Sequence, residues 1–163
     1  MPTWNITTPL IGAQAISAQS TTLKHPLGFT VTAKDATLGD AEFMYVKGVA
    51  SGVAFDWVTF DQHAGAVVRS AANAKGIVGI LQNALTASYY GWMAVRGAGL
   101  TGNCLTSFGD NGKVFLTSTA ATIDDASVAG DLVSGAVGRA ATVADSGNAV
   151  FEINHPFVTD ADS

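Results

Sequence analysis

The chain has 163 residues, a net charge of −5 and a charged fraction of only 13%, against an average of about 25% in soluble proteins. Its Lys and Arg residues are scattered singly, which argues against nucleic-acid binding and against a polybasic membrane-surface segment, since both need clustered positive charge. No apolar run reaches the roughly 18 residues of a membrane span, and the start lacks the pattern of a signal peptide, so we expect a cytosolic product without processing.

The polar residues are of kinds that favour strands and turns over helices. Glutamate, common on solvated helical faces, occurs only twice, and most polar positions are Thr, Ser, Asn or Asp. The 18 glycines point in the same direction. We therefore predict an all-β protein, a compact barrel or sandwich of short antiparallel strands with an extended N-terminal arm.

Residues 1–23 lack a clear hydrophobic period and carry Trp4 and the pair Leu10–Ile11 as isolated apolar residues. Two interpretations are about equally open, an extended arm and a frayed terminus. Trp4 tilts the choice toward an arm that packs on something, because a free tail rarely needs a tryptophan. We take 1–23 as the arm and 24–163 as the β-rich domain. Two sub-barrels, over about 24–105 and 106–163, would also fit.

After the arm, the sequence is a series of short alternating or apolar runs. In "GFTVTAKDA", Val31 and Ala33 alternate with threonines, the period of a half-buried strand. In "YGWMAVRGAG", we predict that Met93 and Val95 point inward and that Arg96 lies on the other face. Intervening and later runs predict further strands: "AEFMYVKGVA", "FDWVTFD", "GAVVRSA", "KGIVGIL", "GLTGNCL", "GKVFLTS", "DLVSG", "VGRAATV" and "GNAVFEINHPF".

Two short internal echoes favour a repeated strand-turn-strand unit on a barrel, although chance similarity remains an alternative. "YVKGVA" is similar to "AVRGAG", since each places Val and a cation before Gly. "DWVTF…AVVRSA" is similar to "DLVSG…AVGRAA", since in each an Asp precedes Val and an Arg follows. The echoes lack the fixed period of a solenoid.

None of the common catalytic or metal-binding patterns is present in the sequence. His25, His63 and His155 lack the spacing of metal ligands. Cys104 is the only cysteine and is best interpreted as a buried small apolar residue. No serine lies in a G-x-S-x-G elbow, no glycine-rich loop has the residues of a phosphate site, and most aspartates fall in predicted turns. We predict a protein that is not an enzyme and uses no metal or cofactor.

Four runs, "GDAEFMYVKG", "DWVTFD", "AKGIVGI" and "YGWMAVRG", carry a resemblance to a known family. Over residues 38–100, the chain resembles the small decoration, or cement, proteins of tailed-bacteriophage heads. The C-terminal stretch "GDLVSGAVGRA…GNAVFEINHPF" follows the same style more weakly. The resemblance implies a β-rich homotrimer on the outer surface of the virion, made in the host cytoplasm. It further implies binding to the major capsid protein, and it carries over no catalytic residue.

Two sets of residues are candidates for these contacts. For the capsid we predict contacts by the arm, through Trp4, Ile6, Leu10 and Ile11, because an extended segment can add a strand to a neighbouring sheet edge. For the trimer interface we predict Tyr89, Tyr90 and Trp92, with an intramolecular core as the alternative. Two other classes of protein stay open: another virion component, such as a tail-tube or tail-spike domain, and a glycan-binding or hydrolytic β-domain.

Overall fold

The computed structural model describes residues 2–140 and 147–159. Within these residues the chain forms eleven strands and no helix, so the all-β prediction is confirmed. The strands are β1 (Asn5–Ile6), β2 (Thr30–Asp35), β3 (Gly39–Lys47), β4 (Trp57–Asp61), β5 (Ala66–Arg69), β6 (Gly76–Ile80), β7 (Tyr90–Asn103), β8 (Lys113–Leu116), β9 (Ile123–Asp124), β10 (Leu132–Ala140) and β11 (Asn148–Val158).

Five strands close into a ring, in the order β3, β5, β4, β6 and β7, with β7 pairing back onto β3. The β3–β7 contact is antiparallel and long, with Tyr45 opposite Trp92. The β3–β5 contact is a single parallel pair, Lys47 with Ala66. The remaining neighbours in the ring are antiparallel. The predicted barrel is therefore present, although one of its junctions is parallel.

The inside of the ring is a small apolar core to which all five ring strands contribute. Successive side chains of a strand point to opposite faces of the sheet. Residues from all five strands that contact one another therefore lie on the same face, which is the inside of the ring. The buried members of this cluster are Met44, Val46, Val58, Phe60, Val67, Leu81, Leu85, Met93 and Val95, with Ile77 of β6 packed against them.

A larger core covers the outer face of the ring between β3, β7 and the later strands. Trp57 packs edge-on against Phe151 of β11, with ring centroids 5.0 Å apart. β11 pairs with β7 along most of its length and with β6 at its end, so the strands after residue 106 continue the same sheet. The division into sub-barrels at residues 105 and 106 stays a prediction.

The strand β7 differs from the sequence-based expectation in one respect. Met93 and Val95 do point into the ring, as predicted, but Trp92 and Ala94 on the opposite face are buried as well. From Gly91 to Val95 every residue is buried, and Arg96, where the strand leaves the ring, is partly exposed. A stretch of strand that is buried on both faces shows a continuous apolar run, and the alternation of side chains alone does not tell which face points inward.

The structure does not confirm a separate N-terminal arm. β1 pairs with β2, with Asn5 opposite Lys34, and a second contact joins Ser20 to Tyr90 at the start of β7. Ile16 is 3% exposed and belongs to the larger core. The reason is apolar burial: the outer faces of β3 and β7 carry large side chains, and this segment covers them.

Candidate functional site

The described residues hold no cluster typical of a metal centre. No group of three or more His, Cys, Asp or Glu side chains within residues 2–140 and 147–159 could hold a metal ion. His25 is buried, whereas His63 and His155 are exposed. Cys104 is 3% exposed, which confirms the prediction of a buried thiol. The part of the chain that the structure describes also lacks any helix that could serve as a membrane span.

Gln14 fastens the N-terminal segment, defined here as residues 2–23, to the outer face of the ring. Its backbone N–H donates to Nε2 of His25 at 3.1 Å, and its backbone oxygen accepts from Nε1 of Trp92 at 2.9 Å. Its side-chain oxygen accepts from the Tyr45 hydroxyl at 2.8 Å, and its side-chain nitrogen donates to two backbone oxygens. Because Gln14 is buried, these bonds hold the segment in one position.

The partners of Gln14 form an aromatic pocket around it. His25 lies 5.0 Å from Tyr45 and 5.5 Å from Trp92 between ring centroids. Since Nε2 of His25 accepts a hydrogen bond, the neutral ring carries its proton on Nδ1. Burial raises the pKa of the Tyr45 hydroxyl, so this group stays protonated and donates to Gln14.

Asp56, at the start of β4, is a fully buried carboxylate with a partner on each oxygen. One oxygen accepts from Nε of Arg69 at 3.0 Å and from the backbone N–H of Val53 at 3.1 Å. The other accepts from the side-chain amide of Asn103 at 2.9 Å. The carboxylate therefore joins β5, the end of β7 and the loop before β4. Because its hydrogen-bonding capacity is used within the chain, we interpret it as structural.

The second internal echo does not reproduce the hydrogen-bond network of Asp56. Asp131 corresponds to Asp56 and is also buried, but its carboxylate accepts from the backbone N–H of Asn73 at 2.6 Å. Arg139, the arginine of the second echo, instead pairs with Glu152 at 2.8 Å on the surface. The two segments share a buried aspartate before a strand and differ in what holds it.

The four predicted capsid-contact residues lie in different environments. Trp4 is 8% exposed and packs edge-on against Phe43 with centroids 5.4 Å apart, so its ring is committed to its own core. Ile6 and Leu10 are half-buried against that core. Ile11 presents its whole side chain to solvent. The capsid contact itself stays a prediction.

The three predicted trimer-interface residues are likewise unequal. Trp92 is 3% exposed, which is the position expected of the intramolecular alternative. Tyr89 and Tyr90 are half-buried, Tyr89 against the inner core and Tyr90 against the outer one. The tryptophan is thus buried, whereas the two tyrosines are partly accessible to solvent. The trimer role of these residues stays a prediction.

An apolar groove lies where the end of β4 and the start of β6 meet the end of β11, beside β5. Val68 and Phe157 are 52% and 44% exposed, and Ile77 lies half-buried opposite Phe157. Together with the buried Phe60 and the rim residue Asp61 they line a groove of about 460 Å³. We refer to Val68, Ile77 and Phe157 as the apolar groove. Its lining also includes Gln62, His63 and Lys75, so polar side chains lie beside the apolar ones.

No sequence pattern predicts the roles of Gln14 and Asp56 or the presence of the apolar groove. Gln14 occurs in an uncharged, aperiodic stretch, and its importance depends on partners far along the chain. Asp56 precedes an apolar run and had only the internal echo as a signal. The groove joins Val68 to Phe157, which no local pattern can bring together.

Comparisons with protein-family models, with curated proteins and with solved structures give no significant match to this chain.

Proposed function

We propose that this protein decorates the head of a tailed bacteriophage, where a homotrimer binds the major capsid protein on the outside of the assembled shell and stabilises it. One observation carries the proposal beyond the sequence resemblance. The four resembling runs supply β3, β4, β6 and β7, which are four of the five strands of the ring. The resemblance therefore falls on one folded unit and not on scattered loops.

The character of the surface supports a binding role. Seven large apolar side chains of the described residues are exposed, while only 13% of all residues carry a charged side chain. Protein interfaces are depleted in charge at their centres, because desolvating ions is costly. A surface of this kind suits contact with other protein chains.

Binding alone is sufficient for the proposed stabilisation. A protein that binds the assembled lattice, but not its separated subunits, stabilises the lattice by an amount that grows with its concentration and affinity. Three linked binding surfaces in a trimer raise the effective concentration of the second and third contacts. No bond need be made or broken, so the proposal requires no catalytic residue.

The test is addition of the purified protein to empty shells of the phage that encodes it, followed by electron microscopy and by measurement of the temperature at which shells come apart. We expect extra density on the outer surface and a higher disassembly temperature. In the map, Leu10 and Ile11 should face the shell or a neighbouring copy. Density confined to the tail, or shells that bind no protein, would replace this proposal with one of the other virion roles.

A further inference from the structure

We propose that His25 is an acid-sensitive latch for the N-terminal segment. Its neutral imidazole holds this segment on the outer face of the ring of strands, and its protonation detaches the segment around Gln14. The latch depends on one hydrogen bond, from the backbone N–H of Gln14 to Nε2 of His25 at 3.1 Å. This inference goes beyond the proposed function and does not depend on it.

The bond between Gln14 and His25 requires an unprotonated Nε2. A backbone N–H group only donates, and a protonated imidazole carries a hydrogen on both nitrogens and accepts no hydrogen bond. Protonation at Nε2 therefore sets two N–H groups against each other across the 3.1 Å that one hydrogen bond now spans. A proton and the N-terminal segment thus compete for the same nitrogen atom, and binding of one opposes binding of the other.

The surroundings of His25 offer no partner to a positive charge. The residue is 7% exposed and lies among the rings of Phe29, Tyr45 and Trp92, with centroids 6.2, 5.0 and 5.5 Å away. The ion pairs in the described part of the chain join other groups and leave His25 out. A buried charge without a counter-charge is costly, so protonation favours a state in which the imidazole reaches water.

The ionisable side chains on the elements around His25 supply no negative charge near neutral pH. Tyr45 and Lys47 lie on the outer side of β3, Tyr90 lies on that side of β7, and Lys24 precedes His25 in the chain. Burial raises the pKa of the Tyr45 hydroxyl, and both lysines are cations in this range. The N-terminal segment itself has no ionisable side chain. Protonation of His25 therefore adds a positive charge to a site without anions.

Gln14 passes the loss of this bond on to the rest of its attachment. Its backbone oxygen accepts from Nε1 of Trp92 at 2.9 Å, and its side-chain oxygen accepts from the Tyr45 hydroxyl at 2.8 Å. A residue displaced from His25 weakens these bonds too, because all of them converge on it. The regular strand pairing of the segment is short, since β1 has only two residues. Detachment around Gln14 uncovers Tyr45 and Trp92.

The direction and steepness of the response follow from proton linkage. The detached state binds one proton more than the docked state, so acidification favours it, with a detached-to-docked ratio that rises by up to about tenfold per pH unit. Histidine changes its charge between about pH 5 and 8. Asp35, which accepts from the N–H of Thr3 in the same segment, stays ionised over this range because its pKa lies below the ordinary value of 3.8.

The test follows the His25 imidazole and the Trp92 indole N–H by NMR in the ¹⁵N-labelled full chain, from about pH 8 to about pH 5. At the upper pH we expect a proton on Nδ1 of His25, none on Nε2, and a hydrogen-bonded indole signal for Trp92. As the pH falls, the Trp92 signal should move to its free position with the same midpoint as the His25 signals. The indole of Trp57, which packs against Phe151, should stay unchanged, which distinguishes detachment from unfolding.

Three variants complete the test. In His25→Gln, the side-chain oxygen can still accept from the Gln14 N–H but takes up no proton, so the Trp92 signal should stay docked at every pH. His63→Gln and His155→Gln remove the two exposed histidines and should respond as the wild type does.

The wild-type measurement decides the matter even where His25→Gln does not fold. The latch would be overturned by a His25 imidazole that stays neutral down to the lower pH, or by one that titrates while Trp92 stays docked. It would equally be overturned by a folded His25→Gln protein whose Trp92 signal still moves with pH.

Discussion

The buried carboxylates of this protein are held largely by backbone N–H groups. Asp35 accepts from the N–H groups of Thr37 and Leu38 at 2.8 and 3.0 Å and from that of Thr3 at 2.7 Å. Asp131 accepts from one backbone N–H, and Asp56 combines one with two side-chain donors. An ionised carboxylate is a stronger acceptor than a neutral one, so these contacts tie local structure to the charge of each aspartate.

The stability of the fold should depend on the ionisation of Asp35. The N–H groups of Thr37, Leu38 and Thr3 hold the pKa of this carboxyl below its ordinary value of 3.8. Since the folded-state pKa is the lower one, the contribution is complete above the unfolded-state value and is lost as the pH falls from there through the folded-state pKa. We expect Asp35→Asn to lower stability at neutral pH and to flatten the acid side of the stability profile, as measured by urea unfolding from about pH 6 to pH 2.

Asp110→Asn is the matched control, because Asp110 is an exposed aspartate in a turn. Its acid profile should run parallel to that of the wild type. Parallel profiles for Asp35→Asn as well would show that the three N–H contacts do not discriminate the charged carboxylate from the neutral one.

Residue-scale prediction from the sequence succeeded where the determinants are local. Most aspartates are predicted to fall in turns, and Asp35, the last residue of β2, accepts the bonds from Thr37 and Leu38 that are typical of a turn. Asp56 was missed, because its burial depends on Arg69 in β5 and Asn103 at the end of β7. A single sequence carries no signal for a pairing over that distance.

At the scale of elements, the N-terminal segment behaves as a cover for the ring and not as a free arm. Gln14 supplies its main polar attachment, and Trp4 and Ile16 supply apolar ones. The regular strand pairing of the segment is short, since β1 has only two residues and a single bridge joins Ser20 to Tyr90. Elements with little regular pairing open locally at a lower free energy than the core does.

Gln14→Ala should therefore loosen this segment more than the barrel. The substitution leaves the hydroxyl of Tyr45 without its acceptor, a loss of about 1–3 kcal/mol for a buried polar group. We expect faster amide hydrogen exchange over residues 14–18 and unchanged exchange within β4 and β6, followed by mass spectrometry.

Gln62→Ala, at an exposed position, serves as the control and should leave exchange unchanged everywhere. If Gln14→Ala accelerated exchange equally in all strands, the segment would be part of the cooperative core and not an attached cover.

The strands were predictable and the segment was not, for a physical reason. Alternation placed β2 correctly, with Val31 and Ala33 buried, because one face of that strand meets solvent. The first 23 residues have no hydrophobic period, so their position depends on the surface that they cover. The large side chains of Tyr45 and Trp92 on the outer face of the ring could be recognised as such only after the ring was known.

At the scale of the whole molecule, β11 unites the two halves of the chain. It pairs with β7 and β6 of the ring on one side and with β10 on the other. Phe151, fully buried in β11, packs edge-on against both Trp57 and Phe108. The outer core therefore draws side chains from before and after residue 105.

A chain that ends at residue 105 should not fold cooperatively by itself. It would expose Trp57, which packs against Phe151, and the edge of β7 that pairs with β11. We expect one sharp urea transition for the full chain and a broad, featureless one for residues 1–105, monitored by tryptophan fluorescence and near-ultraviolet circular dichroism. Addition of the 106–163 piece should restore part of the signal. A sharp transition for residues 1–105 alone would favour the division into two sub-barrels.

The ring also has a consequence for the rate at which the chain folds. The β4–β5 hairpin and the pairing of β4 with β6 join residues that are close in sequence, so they can form early. Closure of the ring instead pairs Tyr45 with Trp92, which are far apart in sequence. The pairing of β7 with β11 spans a comparable length of chain. Such long loops lose entropy before any apolar burial compensates for it. Folding should accordingly be slow for a domain of this size, with closure of β3 on β7 as the step that limits it.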